Sequence, residues 1–177
     1  IIFEELDKLN LGMLRCGIGI LHKEKRSADV WTTTISDHGK SVQVSGDESI
    51  DIHPLLQGAF DGWVNQTDFS YLLEGEDLNR FYQALTNVNF RLPESQSITE
   101  TVEGLRQYYY VTPFQSGNLY AFCHSPFSDE AKAVMKRFAG VFDLTYTRFL
   151  DLKQAEAQAR EAKIEAGLER VRSRTLA

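Results

Sequence analysis

Three neighbouring residues, Ser36, Asp37 and His38, are the types that make a hydrolytic triad: a hydroxyl to attack, an imidazole to take its proton and a carboxylate to orient the ring. Contiguous side chains diverge from one backbone and cannot form that relay, so the stretch reads as the turn Asp37-His38-Gly39-Lys40. Glu74, Glu76 and Asp77 suggest paired carboxylates, yet acids at a helix N-terminus are what the helix dipole favours. Gly17-Ile18-Gly19 lacks the third glycine of a dinucleotide-binding turn, and no glycine-lysine phosphate loop occurs. Cys16 and Cys123 sit singly in apolar runs, and His22, His38, His53 and His124 show no metal-type spacing to one another or to a cysteine. With no nucleophile, base or metal set, we expect no catalytic residue, no metal and no evident cofactor in this chain.

Binding is the other chemistry on offer. Trp31, Phe60, Trp63, Tyr71, Phe81, Tyr108 and Tyr110 are aromatic residues that could line a small-molecule pocket between a sheet and its helices. Ordinary core packing uses the same residue types. Period two places Tyr108 and Tyr110 on one face of a strand and Tyr109 on the other.

The elements that must position these residues follow from hydrophobic period and punctuation. Phe3, Leu6, Leu9 and Met13 have helical spacing. Strands are expected at Cys16 to Leu21, Ala28 to Ser36 and Ser41 to Val44, forming a meander. Pro54 introduces a helix carrying Leu55, Leu56, Ala59, Phe60, Trp63 and Val64. Phe69 to Leu73 is a strand, and Glu76-Asp77 opens a helix with Leu78, Phe81, Tyr82 and Leu85 on one side. A polar loop from Asn87 to Thr101 precedes two closing strands, Leu105 to Phe114 and Asn118 to His124. From Ser128, a good N-cap, to Ala177 there is no proline and only Gly140 and Gly167, so one long helix is expected. Its first half carries a broad stripe of Val134, Met135, Phe138, Ala139, Val141, Phe142, Tyr146 and Phe149. Its second half thins to a seam, with Leu150, Ala157, Ile164 and Val171 every seven residues and Leu168 beside them. A seven-residue period implies a left-handed supercoil with a partner helix, a solvated spacer being the alternative for so thin a seam. The plan is α+β: a mostly antiparallel sheet flanked by helices, with a long C-terminal helix.

The chain has 177 residues, 42% hydrophobic and 25% charged, with a net charge of −6. That composition excludes collagen-like, disulfide-dense and wholly disordered classes. The acidic balance argues against nucleic acid, and no apolar run approaches the ~18 residues of a membrane span. A soluble, cytoplasmic domain is expected. Charge is unevenly held, because Lys153 to Ala177 carries six basic and four acidic side chains. The opening Ile1-Ile2-Phe3 without a Met, and a finish inside a helical pattern, suggest a piece of a longer polypeptide.

The order of elements, the hairpin from Tyr109 to His124, the segment Ser125-Pro126-Phe127-Ser128-Asp129-Glu130 and a helix containing Phe138-Ala139 resemble the GAF domain, a sensing module whose plan PAS domains largely share. The tail, Phe142 to Glu156 and Ile164 to Thr175, is similar to the connector helix of large bacterial sensor proteins. The resemblance implies a GAF-like domain over residues 1–150 and a signalling helix over 151–177. It further implies a non-catalytic sensory and relay module, with an unidentified small-molecule ligand or partner and a homodimer through Leu150, Ala157, Ile164, Leu168 and Val171. A downstream output domain in the same chain, such as a histidine kinase or nucleotide cyclase, would receive the signal. The Asn-Lys, Phe and Asp-Glu signature of cyclic-nucleotide-binding members is absent. Cys123-His124 matches the bilin-attaching dipeptide but falls in a strand, not before a pocket helix. A dimerisation spacer with no ligand is the alternative.

Overall fold

A computed structural model describes residues 13–36, 39–86 and 105–175, with side chains described outside 33–48 and residue 86. The expected helix from Phe3, the Asp37-His38 turn and the loop 87–101 lie wholly or mainly outside these residues; Met13, expected in that helix, instead begins a strand. The elements in chain order are β1 (Met13–His22), β2 (Ser27–Ser36), β3 (Gly39–Ser49), a 3-10 turn (Ile50–Ile52), α1 (Pro54–Val64), β4 (Phe69–Glu74), α2 (Gly75–Thr86), β5 (Arg106–Phe114), β6 (Gly117–Cys123) and α3 (Asp129–Thr175). The described residues fall into two compact units divided between Gly140 and Val141.

In the first unit the six strands form one antiparallel sheet in the order β3-β2-β1-β6-β5-β4. Hairpins place β2 beside β1 and β3 beside β2. The chain then crosses to the far edge through α1, and β4, β5 and β6 fill inward until β6 meets β1 at the centre. β3 is longer than the expected Ser41 to Val44. A register shift between Asp29 and Trp31 lets Asp47, Glu48 and Ser49 stay paired with Asp29, Ala28 and Ser27 despite their poor strand propensity.

One face of the sheet, carrying Leu21, Ala28, Val30, Tyr109, Val111, Tyr120 and Phe122, forms the main core with Leu55, Leu56, Ala59 and Phe60 of α1 and Leu78, Phe81, Tyr82 and Leu85 of α2. Alternation sends Cys16, Ile18, Ile20, Tyr110, Leu119, Ala121 and Cys123 to the opposite face, where they too are buried. Both faces of the central strands are therefore apolar, which is why β1 and β6 read as continuous hydrophobic runs. The buried residues of α3 are Ala131, Met135 and Ala139. Its N-terminus is capped as expected: the Ser128 hydroxyl accepts the Ala131 N–H at 3.1 Å.

The second unit is the remainder of α3. The broad apolar stripe, of the kind a helix packed on a globular body shows, outruns its burial: Val141 is 61% and Phe149 50% exposed. The rings instead pack along their own helix, Phe142 on Tyr146 at 5.9 Å and Tyr146 on Phe149 at 6.2 Å between centroids. Spacings of three and four residues permit such stacking without any tertiary partner. Leu150, Ala157, Ile164, Leu168 and Val171 are all exposed.

Candidate ligand-binding cavity

Side chains are missing from the middle of the helix-covered face. Gly17 and Gly19 of β1 present bare backbone there, and cross-strand neighbours use the space. A Cβ on Gly17 would collide with the hydroxyl of Tyr120 and the carbonyl of Trp31, and one on Gly19 would come within 2.9 Å of Asn118 Oδ1. The result is a cavity of about 40 Å³ between sheet and helices. β1, β2 and β6 form its floor through Gly19, Val30 and Tyr120; α1 and α2 close it with Leu55, Phe60 and Phe81.

Besides the hydroxyl-bearing rings Tyr109 and Tyr120, three polar side chains line this largely apolar space: Arg15, Thr32 and Asn118. Arg15 reaches it by ordinary alternation, two residues before Gly17 and four before Gly19 on the same face of β1. Met13 pairs with Cys123 on one face, but the register shifts before Arg15, which pairs with Phe122 on the other. The extra residue reverses the face of Met13, which strict alternation would place on the same side as Arg15. Its guanidinium carbon lies 4.0 Å from the centre of the Phe122 ring and 5.2 Å from that of Tyr82. Tyr82 is itself fixed, its hydroxyl donating to Gln107 Oε1 at 2.7 Å.

Beside the cavity wall a second polar group ties α1 to α2. His53, buried just ahead of α1, accepts the Leu55 N–H on Nδ1 at 3.2 Å. Its Nε2 stands 3.5 Å from Asp77 Oδ1. Asp77 accepts the Tyr71 hydroxyl at 3.0 Å and an Arg80 N–H at 2.8 Å. Burial holds the imidazole below the usual histidine range, with Asp77 opposing that shift, and burial raises the Tyr71 hydroxyl. The acidic cluster is thus structural in part: Asp77 anchors this network and Glu74 pairs with Arg106 at 2.8 Å.

The seven aromatic residues expected to share one pocket do not. Phe60 and Phe81 line the cavity. Trp63 and Tyr71 pack at the margin of the same core, Trp63 donating its Nε1–H to the Gln115 carbonyl at 3.2 Å. Trp31, Tyr108 and Tyr110 lie on the opposite face, since Trp31 is paired with Ile18 and Tyr108 with Cys123. Tyr110 there donates to Asp68 at 3.0 Å and packs on Phe127 at 5.2 Å. Period two, applied to every strand at once, makes that division unavoidable. Arg15, Thr32, Asn118 and His53 were not singled out from the sequence; an arginine inside an apolar strand, Leu14-Arg15-Cys16, was the signal for the first.

Among the described residues no group of three His, Cys, Asp or Glu side chains could hold a metal ion, and no helix is long and apolar enough to cross a membrane. No protein-family model, no curated protein and no solved structure matches the chain.

Proposed function

We propose that this chain is a non-catalytic sensory and relay module of a bacterial signal-transduction protein, GAF-like in plan. It binds a small molecule in the cavity and transmits the change through a dimeric helix to an output domain further along a longer polypeptide. A cytoplasmic setting belongs to the same proposal. The observation that carries it is the double duty of β6. Asn118, Tyr120 and Phe122 of this strand line the cavity, and only five residues separate its end from the start of α3. A ligand that displaces Tyr120 or Phe122 pushes on the strand from which the helix departs. Such a relay needs two helix arrangements, and a ligand with unequal affinity for them supplies the energy.

The exposed row Leu150, Ala157, Ile164, Leu168 and Val171 supports a parallel homodimer, since an apolar seven-residue period is unfavourable on a solitary helix. Sedimentation tests this part: wild type is expected as a dimer and Ile164→Asp as a monomer. A monomeric wild type, or an unchanged dimer in the variant, would overturn it. A dimerisation spacer without ligand is the second reading, favoured by the small cavity volume of about 40 Å³. A thermal-shift screen separates the two, because a ligand at a hundred times its dissociation constant stabilises by about 2.7 kcal/mol.

A further inference from the structure

Arg15 is the one Lys, Arg, Asp or Glu in β1, and it is only 7% exposed. A guanidinium keeps its charge when buried, so the cost of removing it from water must be met by what surrounds it. The Phe122 and Tyr82 rings offer π-faces to the group, while its N–H donors lie in the plane and need acceptors elsewhere. Among the described residues no carboxylate is paired with it. Thr32, on the neighbouring strand, is 1% exposed, and its Oγ1 has no hydrogen-bond partner among the described residues. The register pairs Thr32 with Gly17, two residues from Arg15 on the same face, so Arg15 and Thr32 are diagonal neighbours, with the Tyr120 hydroxyl lying over Gly17 beside them. Both line the cavity, with Asn118 as a third polar wall.

A buried cation and an unsatisfied hydroxyl converging on one space define a ligand by charge and by size. The about 40 Å³ available matches the bulk of roughly three or four non-hydrogen atoms. We propose that the cavity is a binding site for a small planar oxyanion, a carboxylate of the size of formate or acetate. The Arg15 fork grips two oxygens and the Thr32 hydroxyl donates to one of them. A planar fork matches a planar oxyanion in two parallel hydrogen bonds, which a point charge cannot reproduce. The inference rests on the sensory reading for its consequence but not for its geometry.

The test is a titration of the full chain followed by amide and methyl NMR signals of Gly17 and Thr32. Sodium formate, acetate, nitrate and bicarbonate are added at constant ionic strength against chloride, and acetamide serves as the neutral isostere of acetate. Formate or acetate is expected to give saturable shifts, with acetamide at least tenfold weaker; saturation by nitrate or bicarbonate alone would keep an oxyanion site but overturn its assignment to carboxylates. Thr32→Val, which preserves shape, is expected to weaken binding about tenfold, and Arg15→Met to abolish saturation. Should Arg15→Met fail to fold, the Thr32→Val titration decides alone. Absence of saturation by every anion, equal binding of acetamide, or unchanged affinity in Thr32→Val would overturn the site. Saturation with no effect on sedimentation or helix association would leave the site standing and overturn the relay. No saturation beside a dimeric tail would do the reverse.

Discussion

His53 and Asp77 face each other at 3.5 Å, linking the first residue ahead of α1 to the first turn of α2. Because His53 Nδ1 accepts the Leu55 N–H, the ring is neutral with its proton on Nε2, a buried atom 3.5 Å from Asp77 Oδ1 with no hydrogen-bond partner among the described residues. Protonation at Nδ1 would cancel the cap. Burial lowers the folded-state pKa below the unfolded value of about 6.5, so the unfolded chain binds the proton first as pH falls. The contribution of His53 is therefore complete above about pH 6.5 and is lost as pH falls through the depressed folded value. Urea midpoints between pH 8 and 5 should fall toward acid in wild type, and His53→Asn, which caps without titrating, should flatten that part of the dependence. Parallel profiles would refute the assignment.

Gly17 has no room for a methyl group. The Tyr120 hydroxyl and the Trp31 carbonyl occupy the position of a Cβ, and one of these is main chain that cannot swing aside. Gly17→Ala should cost about 1–3 kcal/mol by overpacking, measured by urea denaturation. Gly140→Ala, at an open helical position, should by contrast stabilise by up to about 1 kcal/mol.

Asp68, in the loop before β4, accepts from both Tyr110 at 3.0 Å and Thr112 at 2.8 Å. Burial, reinforced by Asp68, raises the Tyr110 hydroxyl well above its ordinary range, so it remains a donor at any accessible pH. Asp68→Ala strands two donors and should cost about 1–3 kcal/mol. Tyr110→Phe made in the Asp68→Ala background should cost less than in wild type. A double-mutant cycle with no coupling would exclude the interaction as a source of stability.

Cys123 is buried on the face opposite the cavity, and burial together with the neighbouring Cys16 pushes its thiol up to about 12. At pH 8 its thiolate fraction is then roughly a thousandth of that of an exposed cysteine. Iodoacetamide labelling followed by mass spectrometry should track global unfolding in urea, with no fast phase in the native protein. Rapid native labelling would contradict this burial.

Much of the architecture was legible because punctuation and period agreed. Pro54 starts α1, Ser128 caps α3, and the Tyr108-Tyr109-Tyr110 alternation divides across the sheet as period two demands. The cavity was less legible, for a physical reason. It exists where side chains are absent, at Gly17 and Gly19, and where a lone arginine, Arg15, falls on the core face of an apolar strand; a void has no periodic signature, and hydropathy does not place an arginine in a core. The His53 cap was hidden because histidine is not among the favoured capping residues. On α3 the apolar stripe continued past the last buried residue, Ala139; hydropathy reports what a residue prefers, not whether a partner is present.

The meeting of β1 with β6 at the centre of the sheet has a consequence in time. Gly17 pairs with Tyr120 across about a hundred residues of chain, so the largest loop closure in the sheet joins its two middle strands. During synthesis the β1–β2–β3 meander can form as it emerges, but its central edge stays open until residues 117–123 have left the ribosome. No earlier intermediate contains the cavity floor. The cavity floor is therefore completed only when nearly the whole first unit has been made, in the event that joins the two halves of the sheet.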